Sequence, residues 1–430
     1  MFLRTLPNGL DVLVIEDNTV PLATIMMTFK NGAFTETDKF NGLTSIYQNM
    51  LLKGNKDYVN QQDLGYNSGG LGIREMNTST TEEYATTYFT LPKSNLDAGL
   101  NFMNSAIRFA KFAPVEFQNE KEVSDQQLKQ KESSPFYELN DAMLHHLWGE
   151  FYSRKVAIGT HENIKNATLA LMDSIRDKYY YPNNAILIIG GNVDHDKVFN
   201  TVEKIYGNWK SSNFDPLKKW LIPEFRPLDK TDYFIVESPL AAVPEIMIDW
   251  RGPDTRNDVN STYCADVFSY IINQRSSKLN NALVQSGLAN YVGIGYLTLK
   301  HVGPISLVVY PNPLKIKECV AELQKQLALM FNDDYLTDEQ IETAKRMLEI
   351  KKIREEEITS DYVHSISFWW ASASLNYFAG YNDNLRKVSR ADLKNYVNKY
   401  ILNKSYCAGL LISPELSEQL KAASFFKPTN

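Results

Sequence analysis

The feature that most narrows the fold is an internal duplication. VPLATIMMTFKNG at 20–32 returns as VPEIMIDWRG at 243–252, and FAPVEFQNEKEVSDQQLKQKE at 112–132 returns as LTDEQIETAKRMLEIKKIREEE at 336–357. MDSIRDKYYYPNNAILII at 172–189 is echoed by SRADLKNYVNKYILNKSYCAGLLI at 389–412. Identity between the copies is low, but their order is the same, and order is what a repeated supersecondary unit preserves. Each copy runs strands, helix, strand, helices, strand. This predicts an α+β chain built from two homologous halves, 1–210 and 231–430. Between them, Ser211 to Pro227 breaks periodicity with Pro216, Pro223 and Pro227, as a linker over 211–230 would.

Within the first half, Asn41 to Gly54 (NGLTSIYQNMLLKG) has the spacing of an amphipathic helix. Leu43, Ile46, Tyr47, Met50 and Leu51 fall at i, i+3, i+4, i+7 and i+8. Ser45 and Asn49 stand one turn apart on its polar side, with Gln48 beside them. On periodicity alone these three are an ordinary solvated helix face. Further helices are expected at Leu96–Phe112, Val115–Gln130 and Phe136–Gly149, and in the second half at Ser261–Val284. The Thr- and Tyr-rich stretch Asn77 to Leu91 reads as one strand with an exposed face, suited to a sheet edge. Thr160 is placed to cap a helix. His145 and His146 are adjacent on a helix and point about 100° apart, so they are expected to be separate surface or half-buried residues rather than joint ligands.

The helix 41–54 carries a resemblance. Ser45-x-x-Gln48-Asn49, an apolar run and Lys53-Gly54 together resemble the H-x-x-E-H helix and following K-G of the insulinase and pitrilysin family of zinc peptidases, in its mitochondrial-processing-peptidase-like branch. Other stretches match the same family in order. They are L-x-N-G-L at 6–10, NTSTTEEYATTYF at 77–89, G-T-x-E-x-I at 159–164, and Y-P-N-N before a strand at 181–184. The resemblance extends from about residue 5 to residue 413. It implies two α+β halves closed like a clamshell around a peptide chamber.

The resemblance also identifies what is missing. Zinc needs imidazole, thiolate or carboxylate ligands, and here Ser45 and Asn49 stand at the two histidine positions. Gln48 stands at the position of the general base, where an amide cannot accept a proton near neutral pH. The third ligand position falls on Gln127, or on Gln126 one register away, with Glu120 matching a supporting carboxylate. In the second half, Tyr291 matches the family's substrate-contacting tyrosine, whereas Val284 replaces its arginine. Asn77 and Thr78 match the segment that lies near substrate.

Composition removes other classes. A net charge of −6, with no basic stripe, argues against nucleic-acid binding. No apolar run approaches a membrane span. Cys264, Cys319 and Cys407 are too scattered for a disulfide framework and are expected to be buried small hydrophobes. The opening residues are too short and polar for a signal peptide, so an extracytoplasmic chain, for example periplasmic, would carry its signal upstream of them. His161, His195, His301 and His364 show no ligand spacing.

The resulting expectation is a non-catalytic subunit with no catalytic residues and no metal of its own. It would complete the peptide-binding chamber of a zinc-bearing paralogous partner. The alternatives are a structural scaffold and a peptide-binding homodimer.

Overall fold

The computed structural model describes residues 1–426. The chain forms two compact units. Unit one comprises Met1–Lys129, Ser153–Pro223 and Arg354–Leu375; unit two comprises Gln130–Tyr152, Glu224–Ile353 and the described residues from Asn376 onward.

Unit one is built on six strands: β1 (Phe2–Thr5), β2 (Asp11–Glu16), β3 (Leu22–Phe29), β4 (Met76–Thr80), β5 (Ala85–Pro92) and β6 (Ala185–Gly191). Their order across the sheet is β1-β2-β6-β3-β5-β4, with β2 and β6 parallel and the other pairs antiparallel. β3 and β6 are near-continuous apolar runs because both their faces are covered; AILIIGG of β6 is buried throughout. β4, with sequence MNTST, is short, polar and partly exposed, as an edge strand is. Residues 77–91 are therefore not one strand. The N–H and Oγ1 of Thr81 both bond the carbonyl of Tyr84, closing a hairpin between β4 and β5. β4 alone is the edge and β5 is interior. Threonine suits both strands and turns, so the composition hid the break.

The motif helix, α1 (Leu43–Met50), is shorter than the expected 41–54; after it, Leu51, Leu52 and Lys53 donate to carbonyls three residues back, as in a tightened last turn. Its start is held from outside. Gly42, at φ +83°, lies against Gly159, at φ +77°, and a Cβ on either would come within 2.5 Å of a backbone carbonyl oxygen of the other segment. The helices α2 (Leu96–Arg108) and α3 (Pro114–Glu132) follow the hairpin. Ile25, Phe29, Thr87, Phe89 and Leu91 face α1 and α2, whereas Thr28, Thr86 and Tyr88 point to the opposite face.

Helix α4 (Pro135–Trp148) belongs to unit two, although it follows α3 directly. Back in unit one, Thr160 caps the helix beginning at His161, as expected, by accepting from the N–H of Asn163. Helix α5 (Leu169–Tyr179) then leads to β6.

Unit two repeats the plan with β7 (Asp232–Glu237), β8 (Glu245–Arg251), β9 (Ala289–Tyr296), β10 (Pro304–Pro311) and β11 (Cys407–Ile412), ordered β7-β11-β8-β10-β9. The parallel pair β7/β11 corresponds to β2/β6, and the edge strand β9 corresponds to β4. The duplication is therefore one of topology. The helix expected at 261–284 ends early: α6 (Val259–Ile272) stops where the Asn273 amide exchanges hydrogen bonds with the main chain of Ile294 in β9, at 2.8 and 2.9 Å. A side chain that satisfies a strand's backbone pins the turn there.

The units also exchange a helix. α4, from the first half of the sequence, packs on β8 and β11, and α7 (Thr359–Ser372), from the second half, packs on β3 and β6. A glycine admits each one. A Cβ at Gly190 would lie 2.6 Å from Val363, and one at Gly409 would lie 2.8 Å from Leu139. The compact units are thus not the contiguous stretches 1–210 and 231–430, because periodicity shows that a helix has an apolar face but not which sheet that face covers. Cys264, Cys319 and Cys407 are buried and free. His146 pairs with Asp232, whereas His145 stacks on Tyr152.

Candidate functional site

The polar side of α1 meets the sheet at one cross-strand pair. Thr78 of β4 lies directly opposite Thr87 of β5, so both side chains project from the same face. Each donates to one amide of α1. Thr87 Oγ1 bonds Gln48 Oε1 at 2.9 Å, and Thr78 Oγ1 bonds Asn49 Oδ1 at 2.6 Å. The amide nitrogens point the other way. Gln48 Nε2 donates to the hydroxyl of Tyr180 at 2.5 Å, and Asn49 Nδ2 donates to Glu120 Oε1 at 2.8 Å. A carboxylate only accepts, which fixes the orientation of the Asn49 amide.

Glu120 on α3 is 2% exposed and its charge is answered. Lys53 Nζ stands 3.3 Å from Oε2, and Ser124 Oγ donates to Oε1 at 3.3 Å. Gln48 is fully buried and Tyr180 is packed between Phe29 and Tyr47. Burial lifts the Tyr180 hydroxyl well above the ordinary phenol range, so it stays protonated. Ser45 is half-buried one turn before Asn49. Gln127 and Gln126 are exposed on α3 and make no side-chain hydrogen bond among the described residues.

These residues do not fit a zinc ion. The only carboxylate in the cluster already has an ammonium and an amide as partners. The amide oxygens accept from threonines, and neutral oxygens compete poorly for a dication. Among the described residues, no three His, Cys, Asp or Glu side chains gather as a metal-holding group. The cluster can instead clamp α1 to the edge hairpin on one side and to α3 on the other, each amide engaged through both its nitrogen and its oxygen.

One residue that positions the site escaped the sequence reading. Glu36, 3% exposed, accepts from the N–H groups of Gly42 and Thr44, each at 2.8 Å, and from Asn41 Nδ2 at 3.2 Å. It thus caps α1 from six residues upstream, outside the local spacing by which caps are recognised. Burial pushes its carboxyl up to about 8, against these donors, which pull it down.

Of the residues matched to substrate contacts, Thr78 is committed to Asn49. Asn77, pointing to the other face, lines a groove of about 610 Å³ with Arg74, Glu75, Leu22 and residues 88–92 of β5. Tyr291 is 49% exposed on β9, the edge strand of unit two, with its ring 5.4 Å from that of Tyr310. Val284 lies in the short π-helical segment Asn281–Gln285 that precedes β9. No helix among the described residues is long and apolar enough to cross a membrane.

Comparison with known proteins agrees with this architecture. Residues 11–156 match the family described as Insulinase (Peptidase family M16), and residues 166–348 match the Peptidase M16 inactive domain. An uncharacterized zinc protease of Rickettsia felis is 26% identical over 220 residues, covering 50% of this chain and 52% of that protein. The probable mitochondrial-processing peptidase subunit beta of Arabidopsis thaliana is 23% identical over 206 residues, 47% of this chain and 38% of that one. The chain thus spans about half the length, or less, of these curated relatives. A protease from Helicobacter pylori, 19% identical, has the same fold with a TM-score of 0.84 over 96% of this chain and 99% of that one. With both of its family domains matched in sequence and its two α+β units in place, the chain belongs to the insulinase (M16) family of peptidases.

Proposed function

We propose that this chain is the non-catalytic member of a two-chain zinc peptidase, supplying peptide-binding surface to a paralogue that holds the metal. One observation carries the reading: the four side chains that would hold zinc or activate water are a serine and three amides, and the two amides on α1 are tied to Thr87, Tyr180, Thr78 and Glu120. Such a cluster supplies neither ligands nor a base. It fixes the edge hairpin, and a fixed edge is what an extended peptide needs in order to add as a further strand. In this reading the free N–H and C=O groups of β4 pair with the peptide backbone and Asn77 meets its side chains. Thr78 is a positioning residue, and Tyr291 offers a contact in unit two. The M16 relatives named as a subunit of a processing peptidase support a paired arrangement.

The test is reconstitution. The purified chain alone should contain no stoichiometric zinc and cleave no peptide. Mixed with a paralogue carrying an intact His-x-x-Glu-His helix, it should raise cleavage above that of the paralogue alone. Tight zinc with chelator-sensitive cleavage by the single chain would overturn the reading. No stimulation by any mixture would favour a scaffold, and peptide binding by a self-associated chain would favour a homodimer.

A further inference from the structure

A second cavity, lined by none of the motif amides, meets the start of α1 at Thr44. It encloses about 230 Å³ and its walls are mostly apolar, with Phe40, Tyr179, Trp220 and Leu221 among them. A cavity of about 150 Å³ is enough for benzene, so this one admits a phenyl ring with a short chain attached.

Its charges are unbalanced. Two cations line it, Arg154 and Lys178, and one carboxylate, Glu36. Both oxygens of Glu36 are turned to the N–H groups of α1 and to Asn41. Lys178 Nζ is held over the ring faces of Phe40 at 4.9 Å and Trp220 at 5.8 Å, and it makes no ion pair among the described residues. The Arg154 guanidinium donates to the carbonyl of Phe34 at 2.7 Å and likewise has no ion pair among the described residues. An ammonium resting on aromatic faces keeps its remaining directions open, and a half-buried guanidinium offers a fork of donors suited to a carboxylate.

We propose that this cavity binds a small organic carboxylate with an aromatic or branched apolar body, the anion meeting Lys178 and Arg154 and the body packing against Trp220 and Tyr179. The geometry gives the ligand two requirements at once, a single negative charge and a body about the size of a phenylalkyl group. Neither alone satisfies the site. A free acid and the C-terminal carboxylate of a peptide ending in phenylalanine share this chemistry. Because Glu36 and Thr44 belong to the same wall, an occupied cavity abuts the residues that start α1.

The experiment is calorimetric titration of the full chain with 4-phenylbutyrate, with its neutral amide, and with acetyl-Ala-Ala-Phe bearing a free C-terminal carboxylate. The acid should bind and the amide should bind about tenfold more weakly or worse, the factor expected when a charged hydrogen-bonding partner is lost. Lys178→Met keeps the stem over the rings and should abolish the preference for acid over amide. Leu221→Asp, at a position 77% exposed and so tolerant of substitution, should weaken the acid and spare the amide. Slowed amide exchange at Leu43 and Thr44 on adding 4-phenylbutyrate would place the ligand in this cavity. Binding of the peptide acid as tight as that of the free acid would make a chain terminus the source; binding of the free acid alone would make it a small molecule. Equal affinity for acid and amide, no heat with any probe, or an unchanged acid preference in both variants would overturn the proposal. A circular-dichroism spectrum like the parent's keeps each variant interpretable.

Discussion

Replacing Asn49 with alanine tests whether the motif helix is clamped as described. The substitution removes the donor to Glu120 Oε1 and the acceptor of Thr78 Oγ1. The first loss is a hydrogen bond to a buried carboxylate, of the kind that contributes about 1.5–3 kcal/mol. The second costs less, about 1 kcal/mol at most, because Thr78 is half-exposed and water replaces its partner. Alanine returns about 0.5 kcal/mol through better helix propensity. Lys53, at 3.3 Å from Glu120, continues to neutralise its charge, so the carboxylate is not stranded. The net expectation is a loss of about 1–3.5 kcal/mol, a sizeable share of the roughly 5–15 kcal/mol that holds a typical domain. Urea unfolding should show this as a lower midpoint for unit one with an unchanged slope. The decisive measurement is the double-mutant cycle with Glu120→Ala, in which side chains in direct contact should couple by about 1 kcal/mol or more. A coupling near zero would refute the bond between Asn49 and Glu120. A single mutant as stable as the parent would refute the clamp altogether.

Other expectations follow from the same contacts. Gln48→Leu leaves the Tyr180 hydroxyl and Thr87 Oγ1 without their partner in a fully buried place, and should lower stability by about 2–4 kcal/mol in the same assay. Gly190→Val and Gly409→Val should each destabilise by about 1–3 kcal/mol or more by forcing α7 and α4 away from their sheets, and thermal unfolding would show it. Treatment with a strong chelator should leave the melting temperature unchanged; a fall reversed by zinc would contradict the reading of the motif helix. Asp249, 4% exposed with one carboxylate oxygen unpaired, has its carboxyl pushed up to about 7 by burial. Its folded form therefore binds a proton that the unfolded chain releases near pH 4. Its stabilising contribution is complete below that and is lost as pH rises through about 7. Melting temperature should fall between pH 5 and 8, and Asp249→Asn should flatten the fall; a profile that rises, or one unchanged by the substitution, would count against it.

Much of this protein is written locally. The apolar spacing of α1, the cap at Thr160 and the burial of AILII in β6 follow from side chains a few positions apart, and such periodicity reports directly on which face leaves water. The duplication follows too, because the order of elements survives where identity does not. That positions 45, 48, 49 and 127 carry a hydroxyl and three amides is a matter of residue type and needs no coordinates.

What the amides do instead needed the tertiary structure. Thr78 and Thr87 become partners of Asn49 and Gln48 only because the hairpin at 81–84 sets them opposite each other, and a threonine-rich stretch does not announce its own turn. Glu36 caps α1 across an irregular loop, the Asn273 amide ends α6 by reaching a strand some twenty residues on, and α4 and α7 each cover a sheet from the other half of the chain. All of these are decided by which distant backbone or side chain can satisfy a buried polar group or fill a surface. That choice depends on where the chain returns in space, which spacing along the sequence does not encode.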